Sequence, residues 1–433
     1  MRQPSTSEFR DPVHGFILIY PHERKIIDTP EFQRLRRIHQ LGLTHYVYHG
    51  AEHSRFGHSL GVMHLAGKAV EAVVQRNLDI VRATLKWSNR RASQEQQRLV
   101  WLARLAGLLH DVGHAPFSHT GERSLFQPNM RHEQYSEAII TRTPIGRIID
   151  EECQAMGLSK ELVAQVVTGQ ATLPAGFLQE LISSAWDVDK MDYLLRDSLY
   201  CGVQYGRFDL DRLLNTITLD SEDPSGGLKL AIESDGFHTL EAFVLARYFM
   251  FTQVYFHDVR RAFDLVLTQL IQEILSQTYG SSQYPAPDQL EDYLRVDDAF
   301  ILAEAARLHD ASIKNAAWRV TNRHHPVAVY QTTPSPDEGI ARKVQYHLPA
   351  AARQRFPDLQ FWSDQAVDHP QRFRSEVIMV KFPGNPPSWR SFERESRALR
   401  GLEEIGQVRL YADVRGDDAL QSEVEAYCRD FMK

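Results

Sequence analysis

Apolar residues recur every three or four positions through most of the chain, a spacing that predicts amphipathic helices. The clearest stripe is formed by Val62, Ala66, Val70 and Val73, and the segment 99–109 is apolar nearly all round. Because a helix that is apolar on every side is normally buried, we expect 99–109 at the centre of the fold. Further helical patterns cover residues 177–200, 209–216, 237–276, 298–318 and 387–402.

Shorter stretches have the pattern of β-strands. Residues 9–21 combine Pro and Gly with a run of large apolar residues, which predicts a strand pair near the start of the chain. The runs 376–382 and 407–414 predict two more strands, with a helix between them and a last helix from Ala419. The sequence therefore predicts a mainly α fold with a short N-terminal β-hairpin. The predicted divisions are a helical core over 1–280, a helical extension over 281–369 and a small α+β region over 370–433.

Composition narrows the range of functions. The 433 residues include 49 Lys and Arg against 56 Asp and Glu, a net charge of −7. This balance argues against broad binding of nucleic acid through a basic face, so an anionic ligand would need a local basic pocket. No apolar stretch typical of a signal peptide follows Arg2, and the later apolar runs are too short or interrupted to span a bilayer. Three cysteines without a CxxC motif predict no disulfide framework, and we expect a cytoplasmic protein.

Histidines are concentrated in one part of the sequence. Ten of the 19 histidines fall within residues 39–132, beside the predicted buried helix. Histidine ligates metals and moves protons near neutral pH, so this concentration predicts a functional site. For His39, His45, His49 and His64, helix capping or a surface position is the simpler interpretation.

The pair His110-Asp111 ends the predicted buried helix and is followed by a Gly- and Pro-containing turn. Two ligands are too few for a tight metal site. Further candidates are His58, at a predicted helix start, and the carboxylates of 187–197. On a helix, an i, i+4, i+8 spacing places three polar side chains of that segment on one face, over about 12 Å. These are Asp189, Tyr193 and Asp197.

Together these segments resemble the HD-domain phosphohydrolases, and within them the deoxynucleoside triphosphate triphosphohydrolases of animals and bacteria. The resemblance is carried by FRDPVHG (9–15), IIDTPEFQRLRRIHQLG (26–42), SRFGHSLGV (54–62), LLHDVGHAPFSH (108–119), His132-Glu133 and DVDKMDYLLRD (187–197). It implies that the helical core has the HD-domain fold.

The resemblance also implies roles for individual residues. The implied ligands of a divalent metal ion (Mn, Mg or Fe) are His58, His110, Asp111 and Asp189. The implied catalytic cluster is His114, His119, Glu122 and His132, with His119 as proton donor and with Glu122 where the family usually has Asp. Residues implied to hold the triphosphate are Arg55, Lys190 and Arg247. Residues implied to face the sugar or the rest of the pocket are Gln40, Leu41, Tyr193, Asp197, Tyr255 and His257.

The implied reaction is hydrolysis of a dNTP to the deoxynucleoside and inorganic triphosphate. Relatives of this kind imply a homo-oligomer, a dimer or a tetramer, and activation by a nucleotide bound at Asp28, Gln33 and Arg36. Two alternatives stay open at this point. One is a phosphodiesterase or nuclease in which His114, His119 and His132 bind a second metal ion. The other is a nucleotide-sensing scaffold without catalytic turnover.

Overall fold

A computed structural model describes residues 6–171, 176–220, 227–307, 311–368, 377–402 and 405–433. It is mainly α, as the sequence predicts. The helices of the first half are α1 (Pro21–Ile27), α2 (Pro30–Gln33), α3 (Arg55–Arg76), α4 (Leu78–Thr84), α5 (Ala92–Leu109), α6 (Glu122–Leu125), α7 (His132–Arg142), α8 (Pro144–Cys153), α9 (Lys160–Val167), α10 (Gly176–Ile182) and α11 (Val188–Cys201). The later helices are α12 (Leu210–Thr216), α13 (Phe237–Met250), α14 (Asp258–Tyr279), α15 (Leu290–Arg295), α16 (Asp298–Arg307), α17 (Ala311–Thr321), α18 (Glu338–Arg342), α19 (Leu348–Arg355), α20 (Phe392–Glu395) and α21 (Asp418–Met432).

The strands are β1 (Ser7–Asp11), β2 (Gly15–Ile19), β3 (Ile217–Asp220), β4 (Lys229–Glu233), β5 (Val327–Gln331), β6 (Phe361–Asp368), β7 (Met379–Phe382), β8 (Ser388–Ser391) and β9 (Ile405–Ala412). The predicted N-terminal strand pair is confirmed: β1 and β2 form an antiparallel hairpin in which Ser7 pairs with Ile19. Its side chains Ile17 and Ile19 are fully buried in the main core.

The centre of the molecule is the packing of α3 against α5. The C-terminal half of α5 is buried from Leu102 to Leu109, which confirms the predicted buried helix. The backbones approach so closely that a Cβ on Gly107 would lie 3.0 Å from the carbonyl oxygen of Val62. Only a residue without a side chain fits there without displacing α3. This contact fixes the end of α5, from which His110 and Asp111 project.

Two small sheets complete the fold. The first has the order β3-β4-β7-β8, with β7 parallel to β4, and the second has the order β5-β9-β6. The second sheet packs with α19 and α21 around its own core, which includes Leu410 and Val424. Both sheets join strands from either side of residue 370, and the second takes two strands from the predicted helical extension. The domain boundaries at 280 and 370 stay predictions.

Three helical predictions are wrong in detail. The predicted helix 177–200 is two helices, α10 and α11, because Asp187 caps the start of α11. Residues 387–402 contain strand β8 and the single helical turn α20, because Pro386 and Pro387 precede a segment that pairs with β7. The predicted helix 237–276 is interrupted: α13 ends at Met250, a π-helical turn covers Phe251–Tyr255, and α14 begins at Asp258. His257 is extended there, and its side chain accepts a hydrogen bond from the Val259 amide.

Two other expectations can be compared with the fold. The three cysteines are free and buried. Among the described residues, no helix has the length and apolar character that crossing a membrane requires.

Candidate metal centre and pocket

Three elements bring the four predicted metal ligands together. His58 lies in the first turn of α3, His110 and Asp111 follow the buried end of α5, and Asp189 lies in the first turn of α11. His58 Nε2 is 3.0 Å from Asp189 Oδ1 and 3.5 Å from Asp111 Oδ2. His110 Nε2 is 3.3 Å from Asp111 Oδ1 and 3.7 Å from Asp189 Oδ1. Two imidazoles and two carboxylates therefore face a common point.

Each histidine is held with its Nε2 atom toward that point. His58 Nδ1 donates to Asp192 Oδ2 over 2.8 Å, and His110 Nδ1 donates to the Gly107 carbonyl oxygen over 2.8 Å. The Nδ1 proton leaves a lone pair on Nε2, which is the form that ligates a metal. Both Nε2 atoms are buried and make no hydrogen bond to any described residue. These buried, unpartnered atoms beside two carboxylates fit a divalent cation.

Electrostatics point the same way. Burial alone would lower the pKa of His58, but the adjoining carboxylates of Asp189 and Asp192 raise it to about 10. For Asp189, burial alone would raise the pKa, and the two histidines hold it well below its usual value. The centre thus attracts positive charge, which a metal ion would supply.

Asp192 lies beneath the centre and is itself fully enclosed. It accepts from His14 Nε2 over 2.6 Å and from Arg196 Nε over 2.8 Å. Arg196 in turn pairs with Asp11. A Cβ on Gly61 would lie 1.9 Å from Asp192 Oδ1, so glycine is needed at that position of α3.

The predicted catalytic residues form a second cluster beside the metal centre. The rings of His114 and His132 stack with centroids 3.9 Å apart, and His114 Nε2 lies 3.2 Å from Asp111 Oδ1. Glu122 faces three histidines: its carboxylate is 3.1 Å from His119 Nδ1, 3.2 Å from His132 Nδ1 and 3.6 Å from His114 Nδ1. His119 is the exposed member, with 60% of its side chain accessible.

The charges in this cluster differ from residue to residue. Burial lowers the pKa of His114 well below its usual value, and the nearby Arg55 and His132 lower it further. Burial opposes the charged form of His132, but Glu122 raises its pKa. Burial would raise the pKa of Glu122, yet His119 and His132 hold it well below its usual range. A neutral His114 therefore sits beside a carboxylate–imidazolium pair.

A cavity of about 220 Å³ lies over both clusters. Cationic groups reach it from two sides. Arg55 pairs with Asp111 through Nη1 and donates from Nε to Ser118 Oγ over 2.8 Å. Lys190 Nζ lies 2.7 Å from Asp187 Oδ2, on the helix turn where Asp187 caps α11.

An adjoining cavity of about 270 Å³ contains the predicted sugar-facing residues. Asp197 and Tyr255 line it, and the Tyr255 hydroxyl donates to Asp197 Oδ2 over 2.7 Å. The other carboxylate oxygen of Asp197 accepts from His53 Nε2 over 2.7 Å. The π-helical turn after α13 brings Tyr255 into this wall. Four residues line both cavities: Gln40, Arg55, His119 and Tyr193. Leu41 lines only the second.

Two predicted pocket residues lie outside the lining of both cavities. Arg247 is buried behind the wall, with its guanidinium 5.1 Å from the centre of the Phe251 ring. His257 is the N-terminal cap of α14 and lies 3.1 Å from Asp258.

The three residues predicted to read an activating nucleotide lie along one short stretch: Asp28 follows α1, Gln33 ends α2 and Arg36 lies in the 3₁₀ turn after it. Arg36 donates to Gln33 Oε1 over 2.8 Å and lies over the Phe56 ring at 3.5 Å. Asp28 is exposed and pairs with Arg24 over 2.7 Å.

The sequence analysis missed two groups of residues at the site. One consists of the polar side chains behind the metal ligands and the wall residue Asp197, and the other consists of two arginines that line the second cavity. The first group is Asp11, His14, Asp192, Arg196 and His53. The second is Arg260 and Arg261. Asp11, His14, Asp192 and Arg196 all lie inside the segments that carry the family resemblance, and this was the available signal. Nothing in the sequence distinguishes Arg260 and Arg261 from surface arginines.

Comparisons with known proteins agree with this geometry. The HD domain model matches residues 55–197, and the model of the HD associated region matches residues 208–326. The chain belongs to the HD-domain family. The matched HD segment includes all four predicted metal ligands.

Relatives extend over much of the chain. It is 35% identical over 311 residues to the Bacillus subtilis protein YwfO, a match that covers 68% of this chain and 64% of that protein. It is 30% identical over 341 residues to the human deoxynucleoside triphosphate triphosphohydrolase SAMHD1, covering 71% of this chain and 51% of that protein. The chain thus spans less than two thirds of the length of these relatives. A crystal structure of a hypothetical protein from Aquifex aeolicus superimposes with a TM-score of 0.75 at 28% identity, covering 99% of this chain and 100% of that one.

Proposed function

We propose that this HD-domain protein is a metal-dependent phosphohydrolase that cleaves dNTPs to a deoxynucleoside and inorganic triphosphate. The observation that carries the proposal is that two adjoining cavities share four lining residues, Arg55 among them. Three of the predicted metal ligands line one cavity, and Asp197 and Tyr255 line the other. A nucleotide has the same division into an anionic part and a sugar with its base. Similarity to SAMHD1 proteins, which are named for this reaction, supports the substrate class.

His58, His110, Asp111 and Asp189 would hold the divalent ion. Mixed imidazole and carboxylate ligation suits Mn, Fe or Mg. A bound ion at such a centre polarises a phosphoryl oxygen and lowers the pKa of bound water.

The chain's own residues would bind the triphosphate and move the proton. Arg55 and Lys190 neutralise the negative charge that spreads over the phosphoryl oxygens. His119 is exposed to the cavity and is oriented through Nδ1 by Glu122, so its Nε2 is available to donate a proton to the leaving 5′-oxygen. Glu122, whose pKa is held well below its usual range, stays a carboxylate and orients His119 and His132. Arg247 is better placed to support the pocket wall than to touch the triphosphate.

At the sugar end, Asp197 and Gln40 would bind the 3′-hydroxyl. Leu41 and Tyr193 would leave no space for a 2′-hydroxyl. His53 and Tyr255 fix the Asp197 carboxylate from both sides, so its position does not depend on the ligand.

The decisive experiment is incubation of the purified protein with each dNTP and NTP in the presence of Mn, Mg or Fe, with the products separated by ion exchange. We expect deoxynucleoside and triphosphate from dNTPs only, and loss of both products after chelation and in Asp111→Ala. Asp211→Ala, which changes an exposed carboxylate, is the matched control and should keep full activity. Absence of any turnover with any metal would reject the enzyme and leave the nucleotide-sensing scaffold as the better account.

One observation favours a second candidate function. Asp111 belongs to both groups of potential ligands, His58, His110 and Asp189 on one side and His114 with His132 on the other. A carboxylate shared by two ions is a common arrangement in two-metal phosphodiesterases and nucleases. Release of a nucleoside monophosphate or cleavage of an oligonucleotide in the same experiment would establish this alternative.

We further propose that the protein is a homo-oligomer activated by a nucleotide at Asp28, Gln33 and Arg36. The support is their shared position at α1 and α2 and their match to the family pattern. A dNTPase rate that does not change on addition of GTP or a second dNTP would reject activation. Equilibrium sedimentation with and without nucleotide distinguishes monomer, dimer and tetramer.

A further inference from the structure

The described residues contain a group of potential metal ligands that is separate from those of the proposed reaction. It consists of His39, His45 and Glu52, whose ligand atoms all lie within 4.8 Å of one another. His39 precedes Gln40 in the chain, His45 lies in the 3₁₀ turn Gly42–Tyr46, and Glu52 lies in the following loop. Sequence alone favoured surface or capping roles for both histidines.

The hydrogen bonds of His39 define which nitrogen faces the group. Its Nδ1 atom lies 2.7 Å from Asp298 Oδ2, and its backbone amide donates to the same oxygen over 2.9 Å. Because a carboxylate only accepts, Nδ1 carries the proton. In the neutral ring, Nε2 then presents a lone pair. A buried carboxylate behind a histidine in this way is the usual support of a metal-bound imidazole, and His58 with Asp192 repeats it in the HD centre.

The other side of the His39 ring needs a positive charge. Its Nε2 atom lies 3.2 Å from Glu52 Oε2, so two electron-rich atoms face each other unless a cation or a proton lies between them. His45 is the neighbour that decides between the two. Its ring centroid is 5.3 Å from that of His39, and its Nδ1 atom is buried with no hydrogen-bond partner among the described residues. A proton on His39 would satisfy Glu52 but would contribute nothing to His45, whereas a metal ion can bind one ligand atom from each of the three residues.

We propose that His39, His45 and Glu52 form a second metal site, which takes a divalent transition-metal ion such as Zn²⁺. Two imidazoles and one carboxylate are a ligand set typical of zinc, and three protein ligands leave a position for water or an anion. The partial exposure of His39 and Glu52 gives the ion a route from solvent.

The surroundings connect this site to the pocket wall. Asp298 begins α16, and its second oxygen accepts from the amide of Phe117, a buried residue with a positive φ of 55°. Asp298 therefore ties the loop that contains Gln40 both to the turn after Asp111 and to α16. An ion at this site would also link His45 and Glu52 to His39, and so to Asp298. It would thereby hold in place Gln40 and Leu41, which form part of the wall of the second cavity.

The test compares bound zinc in matched variants of the full chain. After chelation and equilibrium dialysis against Zn²⁺, His45→Gln should retain one equivalent fewer than the unchanged protein. His49→Gln, which alters an exposed histidine of the same loop, should retain the full number. The difference between variants isolates this site whatever number of ions the HD centre holds.

Two further measurements keep the result independent of misfolding. In His110→Gln/Asp111→Asn, which disables the HD centre, Co²⁺ should still give the visible absorption of a nitrogen- and oxygen-ligated ion, and adding His45→Gln should abolish it. Zn²⁺ should also raise the melting temperature of His110→Gln/Asp111→Asn, because a ligand that binds only the folded state stabilises that state. Equal zinc retention in His45→Gln and His49→Gln, together with a His45-independent cobalt spectrum, would overturn the proposal and assign a proton to the His39–Glu52 pair.

Discussion

At the scale of single residues, the candidate metal centre depends on Asp192, a carboxylate that lies behind the ligand His58 and is not itself a ligand. Asp192 receives hydrogen bonds from His58, His14 and Arg196 and is fully buried. Burial alone would raise its pKa, but the Arg196 charge and the two histidines hold the pKa well below its usual range. It is therefore a carboxylate at neutral pH, and it fixes both the ring and the tautomer of His58.

Asp192→Asn should weaken the HD centre without removing any of its ligands. We expect a loss of about 10–100-fold in metal affinity, the range found when a carboxylate behind a metal-bound histidine is removed. The buried Arg196 would also lose one of its two partners, which predicts a stability loss of about 3–5 kcal/mol. Metal titration and urea unfolding measure the two effects, with Asp211→Asn as the exposed control. Unchanged metal affinity would contradict the positioning role.

His64 is a second residue whose burial has a measurable consequence. Burial lowers its pKa to about 4, and the positive charges of His14, Lys68 and Arg104 contribute. The unfolded chain takes up this proton near pH 6.5, so the unfolded state gains protons first and stability falls as the pH drops from 6.5 towards 4. His64→Gln removes this contribution. From pH 7 to pH 5 the unfolding free energy should fall in both proteins, but by about 1 kcal/mol less in the variant. This figure allows for the partial exposure of His64. Parallel pH slopes in urea unfolding would contradict the assignment.

At the scale of elements, the position of His110 and Asp111 depends on the close packing of α3 and α5. Gly107 is the contact point, one turn before the pair. The turn that follows α5 is held by Asp298, which fixes Phe117 in its left-handed conformation. Both anchors act on the backbone, through residues that are not themselves metal ligands.

Gly107→Ala tests the helix contact. The added methyl would lie 3.0 Å from the Val62 carbonyl oxygen and push α5 away from α3. We expect a loss of about 1–3 kcal/mol in unfolding free energy, the range typical of overpacking. Gly401→Ala is the control, because a Cβ there meets no atom within 4 Å and the residue has no positive φ. A variant as stable as the control would show that α5 shifts at no cost.

At the scale of the whole molecule, the C-terminal sheet supports the second cavity. Arg261 of α14 lines that cavity and forms a paired ion contact with Asp364 of β6, one arm of which is 3.0 Å long. Arg409 of β9 donates to the Phe256 carbonyl oxygen over 2.8 Å, directly after the π-helical turn that contains Tyr255. The small sheet is thus part of the structure that shapes the pocket.

Asp364→Asn should leave Arg261 with Asp264 as its remaining carboxylate partner and alter the pocket at a distance from the metal. We expect KM for a dNTP to change several-fold while kcat changes little, because the reacting groups stay in place. The exposed pair Arg355–Glu423 of the same region offers the control, and Glu423→Gln should change neither parameter. Equal KM values for both variants would show that the sheet does not affect substrate binding.

The sequence by itself determined the mainly α class, the buried helix before His110 and the N-terminal hairpin, because these follow from periodicity within a few turns of chain. The four residues of the candidate metal centre came from the resemblance of short motifs to the HD-domain family. Periodicity missed the helix breaks at 183–187 and at His257, where a side chain caps the next helix. It also missed the strand at 388–391, which forms because that segment pairs with β7. Only the tertiary structure showed that Asp192 supports His58, that Glu122 faces three histidines and that His39, His45 and Glu52 converge. In each of these groups a histidine nitrogen lies beside a carboxylate from a different part of the chain. The packing of separate elements decides which of them meet.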